Sequence, residues 1–273
     1  MQLGIFAKTF SVHGALPVLQ AVKAAGYDCA QFNLACLGLH SMPDEIGDGV
    51  AETIAAAASA SGVNIAAVSA TYNMIHPDFR QRADGMRRLA LIIAQARAMG
   101  TALVTLCTGT RDAQDQWRHH PDNDGVEAWR DLVTEMAKAL ELADRYDVNL
   151  GIEPELANVV SSAAHAKRLI GDLQTERLKI VLDPANLFEI ESAARRERLV
   201  AEAVELLGGR IAMAHAKDRD ASGKFVAAGR GVIDFRHFIK HLKRVGFDGP
   251  LVTHGLDEAE APTVAAFLKE ALA

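Results

Sequence analysis

Glu153, Asp183, His215 and His254 are of residue types that can share one piece of chemistry. Two carboxylates and two imidazoles offer oxygen and nitrogen donors together, a set that suits Mn, Co, Fe or Zn. A lone buried carboxylate is often a structural ion-pair partner. Four such groups meeting without a cation would leave the charges of Glu153 and Asp183 crowded. They therefore read as one divalent-metal site, provided the fold brings them together.

The elements that must do so alternate along the whole sequence. Short apolar or β-branched runs cover residues 3–10, 28–34, 65–72, 102–108, 149–155, 178–186, 210–217 and 250–256, and a helical candidate follows each. The clearest helical runs are 49–61, 80–99, 125–146 and 235–245. Gly26, Gly62, Gly100 and Gly246 stand just after helical runs, where a left-handed C-cap is needed. Strands alternating with helices imply a parallel sheet with helical crossovers. Eight repeats of about 30 residues each imply closure into a (β/α)8 TIM barrel, one domain over residues 1–273. In such a barrel the strand C-termini face the active site. Strand two ends in Gln31 and Asn33, strand three in Ser69, Tyr72 and Asn73, and strand four in Cys107 and Thr108. Strands five to eight then present Glu153, Asp183, His215 and His254 in order, with Glu155, Asn186, Lys217 and Asp218 close by.

Composition narrows the partners. The chain has 273 residues, 49% of them hydrophobic, and a formal net charge of -6. No basic stripe is visible, so a nucleic-acid partner is not expected. The basic runs 80–88 and 194–198 read as solvated helix faces. Cys29, Cys36 and Cys107 are odd in number and form no CxxC, so they read as small buried hydrophobes in a reducing cytoplasm. The N-terminus turns polar too quickly for a signal peptide. No run of about 18 apolar residues occurs, so no membrane partner is expected. Barrels of this kind often pair, so a homodimer is one possible assembly, with oligomeric state left open by the sequence.

Four segments carry a family resemblance: 151–155 (GIEPE), 180–188 (IVLDPANLF), 213–218 (MAHAKD) and 229–234 (GRGVID). Together they resemble the sugar phosphate isomerase/epimerase superfamily of xylose-isomerase-like barrels. That group includes ketose 3-epimerases, inosose dehydratases and an endonuclease IV branch. The resemblance implies that Glu153 binds metal and removes a proton. It also implies that Asp183 and His215 are ligands, and that Arg230 reaches the substrate or orders the site. The strand-eight position in the family holds a second glutamate. Here it is His254, which keeps a ligand but removes the second carboxylate of a symmetric epimerase.

The expected chemistry is proton transfer beside a carbonyl, through a metal-stabilised enediolate, on a small keto sugar or related polyol. One divalent ion is expected, Mn or Zn ahead of Co, Fe or Mg. Glu153 is the expected base. His254 is a fourth ligand or a free acid/base, and a coordinated imidazole is not easily both. As a free acid it would favour a lyase, a dehydratase or deglycosylating eliminase on an oxidised sugar or cyclitol. A non-catalytic sugar-binding barrel is the remaining alternative. A three-metal nuclease is disfavoured because Gln31, Asn33, Ser69 and Asn73 stand where it needs ligands. Lys217 either neutralises an oxyanion or pairs with Asp218 or Glu155. Asn186 orients a substrate hydroxyl or, the better reading, caps the next turn. Asn33 is a further substrate-binding candidate. The longest irregular stretch, 109–124, follows strand four and carries Arg111, Trp117, His119 and His120. Trp117 and His120 are read as sugar contacts ahead of His119, with burial as the alternative for Trp117.

Overall fold

A computed structural model describes residues 1–273. Strands β1 (Gln2–Phe6), β2 (Cys29–Phe32), β3 (Asn64–Ser69), β4 (Leu103–Leu106), β5 (Asn149–Ile152), β6 (Leu178–Leu182) and β7 (Ile211–Ala216) run parallel in chain order. A short antiparallel hairpin, β8 (Asp218–Arg219) and β9 (Phe225–Val226), follows β7. Strand β10 (Pro250–Thr253) then closes the barrel between β7 and β1. The outer ring is α1 (Ala15–Ala24), α2 (Val50–Ser61), α3 (Phe79–Ala96), α4 (Val126–Arg145), α5 (Ala163–Leu173), α6 (Ala193–Leu207), α7 (Phe235–Arg244) and α8 (Ala261–Leu272). This is the (β/α)8 TIM barrel expected from the alternation. None of its helices is long and apolar enough to cross a membrane.

The helices form where apolar side chains recur every three or four residues. In α7 these are Phe235, Phe238, Ile239 and Leu242, all buried against the barrel, while Lys240, Lys243 and Arg244 face out. Side-chain caps start several helices: Asp78 accepts from the Arg80 N–H, Ser162 from His165 and Asp234 from His237. Gly26, Gly62, Gly100 and Gly246 all take positive φ at helix ends. The three cysteines are free and buried. Burial pushes the Cys107 thiol up to about 12, and it donates to the Tyr72 carbonyl oxygen.

The strands stop earlier than their apolar runs suggest, and the cause is local. Beyond β2, Asn33 accepts from the Ala35 N–H, and beyond β6, Asp183 accepts from the Ala185 N–H. Each bond turns the chain into a short 3-10 segment, Leu34–Leu37 and Pro184–Asn186. The polar residue that ends the pattern also ends the strand.

Side chains alternate between the barrel interior and the helices. Ala67, Leu103, Val181, Met213 and Val252 form a small apolar cluster separate from the main core. Two residues further along β6, β7 and β10 from Val181, Met213 and Val252 stand Asp183, His215 and His254. A period of two puts both sets on one face of each strand, so the apolar layer lies directly beneath the polar one. On β5 the same relation links Gly151 to Glu153. A methyl at Gly151 would meet Val181 Cγ2 at 3.0 Å and Leu103 Cδ1 at 3.2 Å, so the missing side chain makes room for its neighbours.

Asp218 ties the start of the hairpin after β7 to the segment that follows it. Asp218 accepts backbone N–H bonds from Arg219, Gly229, Gly231 and Ile233, at 2.8–3.1 Å. The chain must wrap closely to present these donors, and a Cβ at Gly231 would lie 2.0 Å from the Arg219 carbonyl oxygen. Gly231→Ala should lower the unfolding free energy by about 1–3 kcal/mol, the usual cost of overpacking, read as a reduced urea midpoint at unchanged m.

Candidate metal centre

Glu153, Asp183, His215 and His254 come from four adjacent strand ends, and one donor atom from each lies within 4.8 Å of all the others. Glu153 Oε1 is 3.1 Å from His215 Nδ1, and Asp183 Oδ2 is 3.1 Å from His254 Nε2. The two imidazole rings tilt against each other with centroids 4.4 Å apart.

Partners behind the donors fix their orientation. Asn186 Nδ2 donates to Glu153 Oε1 at 2.8 Å, and its Oδ1 accepts from Lys217 Nζ at 3.1 Å. Lys217 Nζ also lies 3.4 Å from Asp183 Oδ2. Asn186 and Lys217 thus tie the two carboxylates together. On the opposite side of the barrel, Gln31 Nε2 donates to Thr105 Oγ1 at 3.0 Å, which leaves Gln31 Oε1 facing His215 Nε2 at 2.9 Å. A carbonyl oxygen there needs a proton on Nε2. In the neutral ring Nδ1 is then a bare lone pair aimed at a carboxylate oxygen. Two acceptors at that separation repel unless a cation or a proton lies between them.

The donor set fits a divalent ion on that observation. Two carboxylates face one ammonium, and the imidazoles favour their neutral forms as ligands. Burial, then the neighbouring His215, hold His254 below its ordinary value, with Asp183 pulling the other way. Burial raises the Asp183 carboxyl, but Lys217, His254 and His215 outweigh it and hold it well below the usual range. Glu153 follows the same pattern, burial opposed mainly by His215, and also ends below its ordinary value. At Glu155 the balance reverses: burial, then the charge of Glu153, outweigh Lys217 and Arg219 and push its carboxyl up to about 7. The two carboxylates of the donor set are not equivalent. The Asp183 side chain is fully buried, with Oδ1 and Oδ2 both engaged. The Glu153 side chain is 20% exposed, and only its Oε1 is hydrogen-bonded.

The remaining candidates are placed differently from one another. Lys217 pairs with Asp183 and Asn186 rather than with Asp218, whose oxygens are filled by backbone N–H groups. Asn186 bridges Glu153 and Lys217 instead of capping a turn. The side-chain oxygen of Asn33 accepts from Ala35 in its own turn. Arg230 is exposed and lines a cleft with Gly255 and Asp257 that none of the four donors lines. The GRGVID segment is explained by its backbone donors to Asp218 and by Asp234, which caps α7. His120 accepts from the Asp122 N–H and caps the turn Pro121–Asp124. His119 lies with Trp117 in a cavity of about 810 Å³ that also reaches Glu155 and Phe225. Arg111 ties the loop down, donating to the Ile75 carbonyl and pairing with Asp131 at 2.8 Å. A second, polar cavity of about 580 Å³, between α3 and the 109–124 loop, contains none of the four donors. Gln31 is the functional neighbour that sequence reading did not single out. Its only signal is a polar residue at the end of β2, and its partner is 184 positions away.

Residues 19–271 match the xylose isomerase-like TIM barrel family, and the chain belongs to it. Among solved structures it is similar to an L-ribulose 3-epimerase, with 19% identity and a TM-score of 0.77, covering 99% of this chain and 94% of that one. It is also similar to the 3-keto-D-glucoside 4-epimerase YcjR from E. coli, with 16% identity, a TM-score of 0.77 and 99% of both chains covered. A third is the IOLI protein with a binding zinc atom, with 16% identity and a TM-score of 0.75, covering 100% of this chain and 98% of that one. No curated protein matches the chain in sequence.

If Gln31 sets the tautomer of His215, Gln31→Leu should weaken divalent-ion affinity by about 10–100-fold, the usual cost of losing such a partner. Competition with a chromophoric chelator measures this. Unchanged affinity in a folded variant would show that His215 needs no orienting partner.

Proposed function

We propose that this protein is a metal-dependent sugar isomerase or epimerase that moves a proton beside the carbonyl of a small keto sugar or related polyol. The observation that carries the reading is the asymmetry of the donor set. Glu153 has an open edge and a free oxygen, whereas Asp183 is sealed with both oxygens engaged. Glu153, Asp183, His215 and His254 would hold one divalent cation, which when bound would supply Lewis acidity to a ketone and its neighbouring hydroxyl and so acidify the C–H between them. Glu153 Oε2 accepts that proton, while Asn186 donates to Oε1 and keeps the carboxylate aimed. Lys217 fixes a positive charge at the same edge, against which an oxyanion is stabilised. His254 serves as the fourth ligand: it stands inside the donor set and is held below its ordinary value. The similar structures named as sugar epimerases and as a zinc-binding protein support this reading.

A second reading is favoured by one feature. His254 stands where a symmetric epimerase needs a second carboxylate. Elimination needs a single carboxylate base and a leaving group on the next carbon, so a lyase would keep Glu153 in the same role.

Deuterium uptake from solvent into a panel of ketoses tests the proposal. Protein loaded with one divalent ion per chain should exchange a C–H beside the ketone. Glu153→Gln should slow that exchange by about 10²–10⁴-fold, with metal content checked by elemental analysis. Exchange that survives the substitution removes Glu153 as the base. An unsaturated product in place of labelled sugar selects the lyase.

A further inference from the structure

The cavity of about 810 Å³ beside the metal centre is larger than one sugar ring requires, and eight of its fourteen lining residues are hydrophobic. Trp117, Ile190 and Phe225 are exposed by 49%, 66% and 46%, and all three line it. Leu156, Leu187 and Leu199 extend the same apolar wall. Large apolar side chains scattered singly over a surface mean little, but gathered in one concavity they mark a binding site.

The polar part of the lining narrows the ligand. It is carried by His119 and by charged groups such as Glu155, Glu189, Arg195 and Arg219, with no Ser, Thr, Asn, Gln or Tyr. A second sugar carries hydroxyls around its whole rim, and the part of the wall made by Leu156, Leu187, Ile190, Leu199 and Phe225 offers those that face it no partner. Against that part of the wall a flat aromatic group leaves no hydroxyl unpaired and gains contact with Trp117 and Phe225.

The cavity also shares a wall with the metal centre. Leu187 follows Asn186 directly, and Glu155 stands two residues after Glu153. Lys217 Nζ lies 3.9 Å from the centre of the Phe225 ring and 3.4 Å from Asp183 Oδ2. One molecule with a polar end and an apolar end can therefore occupy both.

We propose that the substrate is a keto sugar carrying an aromatic substituent, of the oxidised aryl glycoside class. Its sugar ring sits at the four donors and its aromatic ring in the cavity rimmed by Trp117, Ile190 and Phe225. Placing the sugar at the donors rests on the function proposed above. The aromatic subsite rests on the cavity alone.

Calorimetry on the metal-loaded protein tests it, with 4-nitrophenyl β-D-glucopyranoside, methyl β-D-glucopyranoside and cellobiose as probes. The aryl glycoside should bind roughly tenfold or more tightly than the methyl glycoside, from the area its ring buries. Trp117→Ala and Ile190→Glu alter exposed positions, so both should fold, keep their metal and lose most of that advantage. Equal affinity for the two glycosides, no binding of the aryl glycoside, or an advantage that survives both substitutions overturns the proposal. Tighter binding of cellobiose overturns it in favour of a second sugar. Binding is read without turnover, so the two proposals fail separately. Aryl preference with no deuterium exchange in any sugar sinks the enzyme reading and keeps the subsite, whereas exchange without aryl preference does the reverse.

Discussion

Two carboxylates at the mouth of an apolar barrel repel each other, and much of the local structure answers that repulsion. Unit charges about 4 Å apart repel by about 4 kcal/mol at an effective dielectric near 20. That is a large share of the stability a domain of this size has to spare. Lys217 meets the charge directly at Asp183 and indirectly, through Asn186, at Glu153. His254 and His215 bring polar edges to the same oxygens, and Gln31 fixes which edge His215 can offer. What remains is an excess of negative charge with lone pairs converging, which is the condition under which a small cation binds.

The barrel meets this demand with very little sequence. Each donor stands two residues beyond an apolar or glycine position on its own strand, so strand alternation alone aims it upward. The turn after β6 is started by Asp183 itself, which makes that residue both a donor and the end of its element. The loops divide the remaining work. The hairpin β8–β9, pinned through Asp218, carries Phe225 over Lys217, and the 109–124 loop, pinned through Arg111 and Asn123, carries Trp117.

The fold was legible because alternation and capping glycines are local signals repeated eight times. The four donors were legible for the same reason, since strand ends can be counted along the chain. What lay across the barrel was not. Gln31 and His215 meet only after closure, and nothing near either residue announces the other. Asn186 looked like a cap because Asn after a strand commonly is one. Its actual partners, Glu153 and Lys217, stand just beyond β5 and β7. The GRGVID segment was recognisable as a pattern, yet its meaning lies in backbone N–H groups, which carry no side-chain identity to read. Loop side chains were hardest of all: His119 and His120 are neighbours, and only the path of the chain sends one to a cavity and the other to a turn.

The apolar layer under the donors also separates inheritance from chemistry. Val181, Met213 and Val252 complete the barrel whatever stands two residues above them, so a strand end can exchange a glutamate for a histidine without touching the part that folds. Selection can then act on reactivity one strand at a time. A lineage built this way keeps its shape over nearly its whole length while fewer than one residue in five stays the same, as the similarity to the L-ribulose 3-epimerase illustrates.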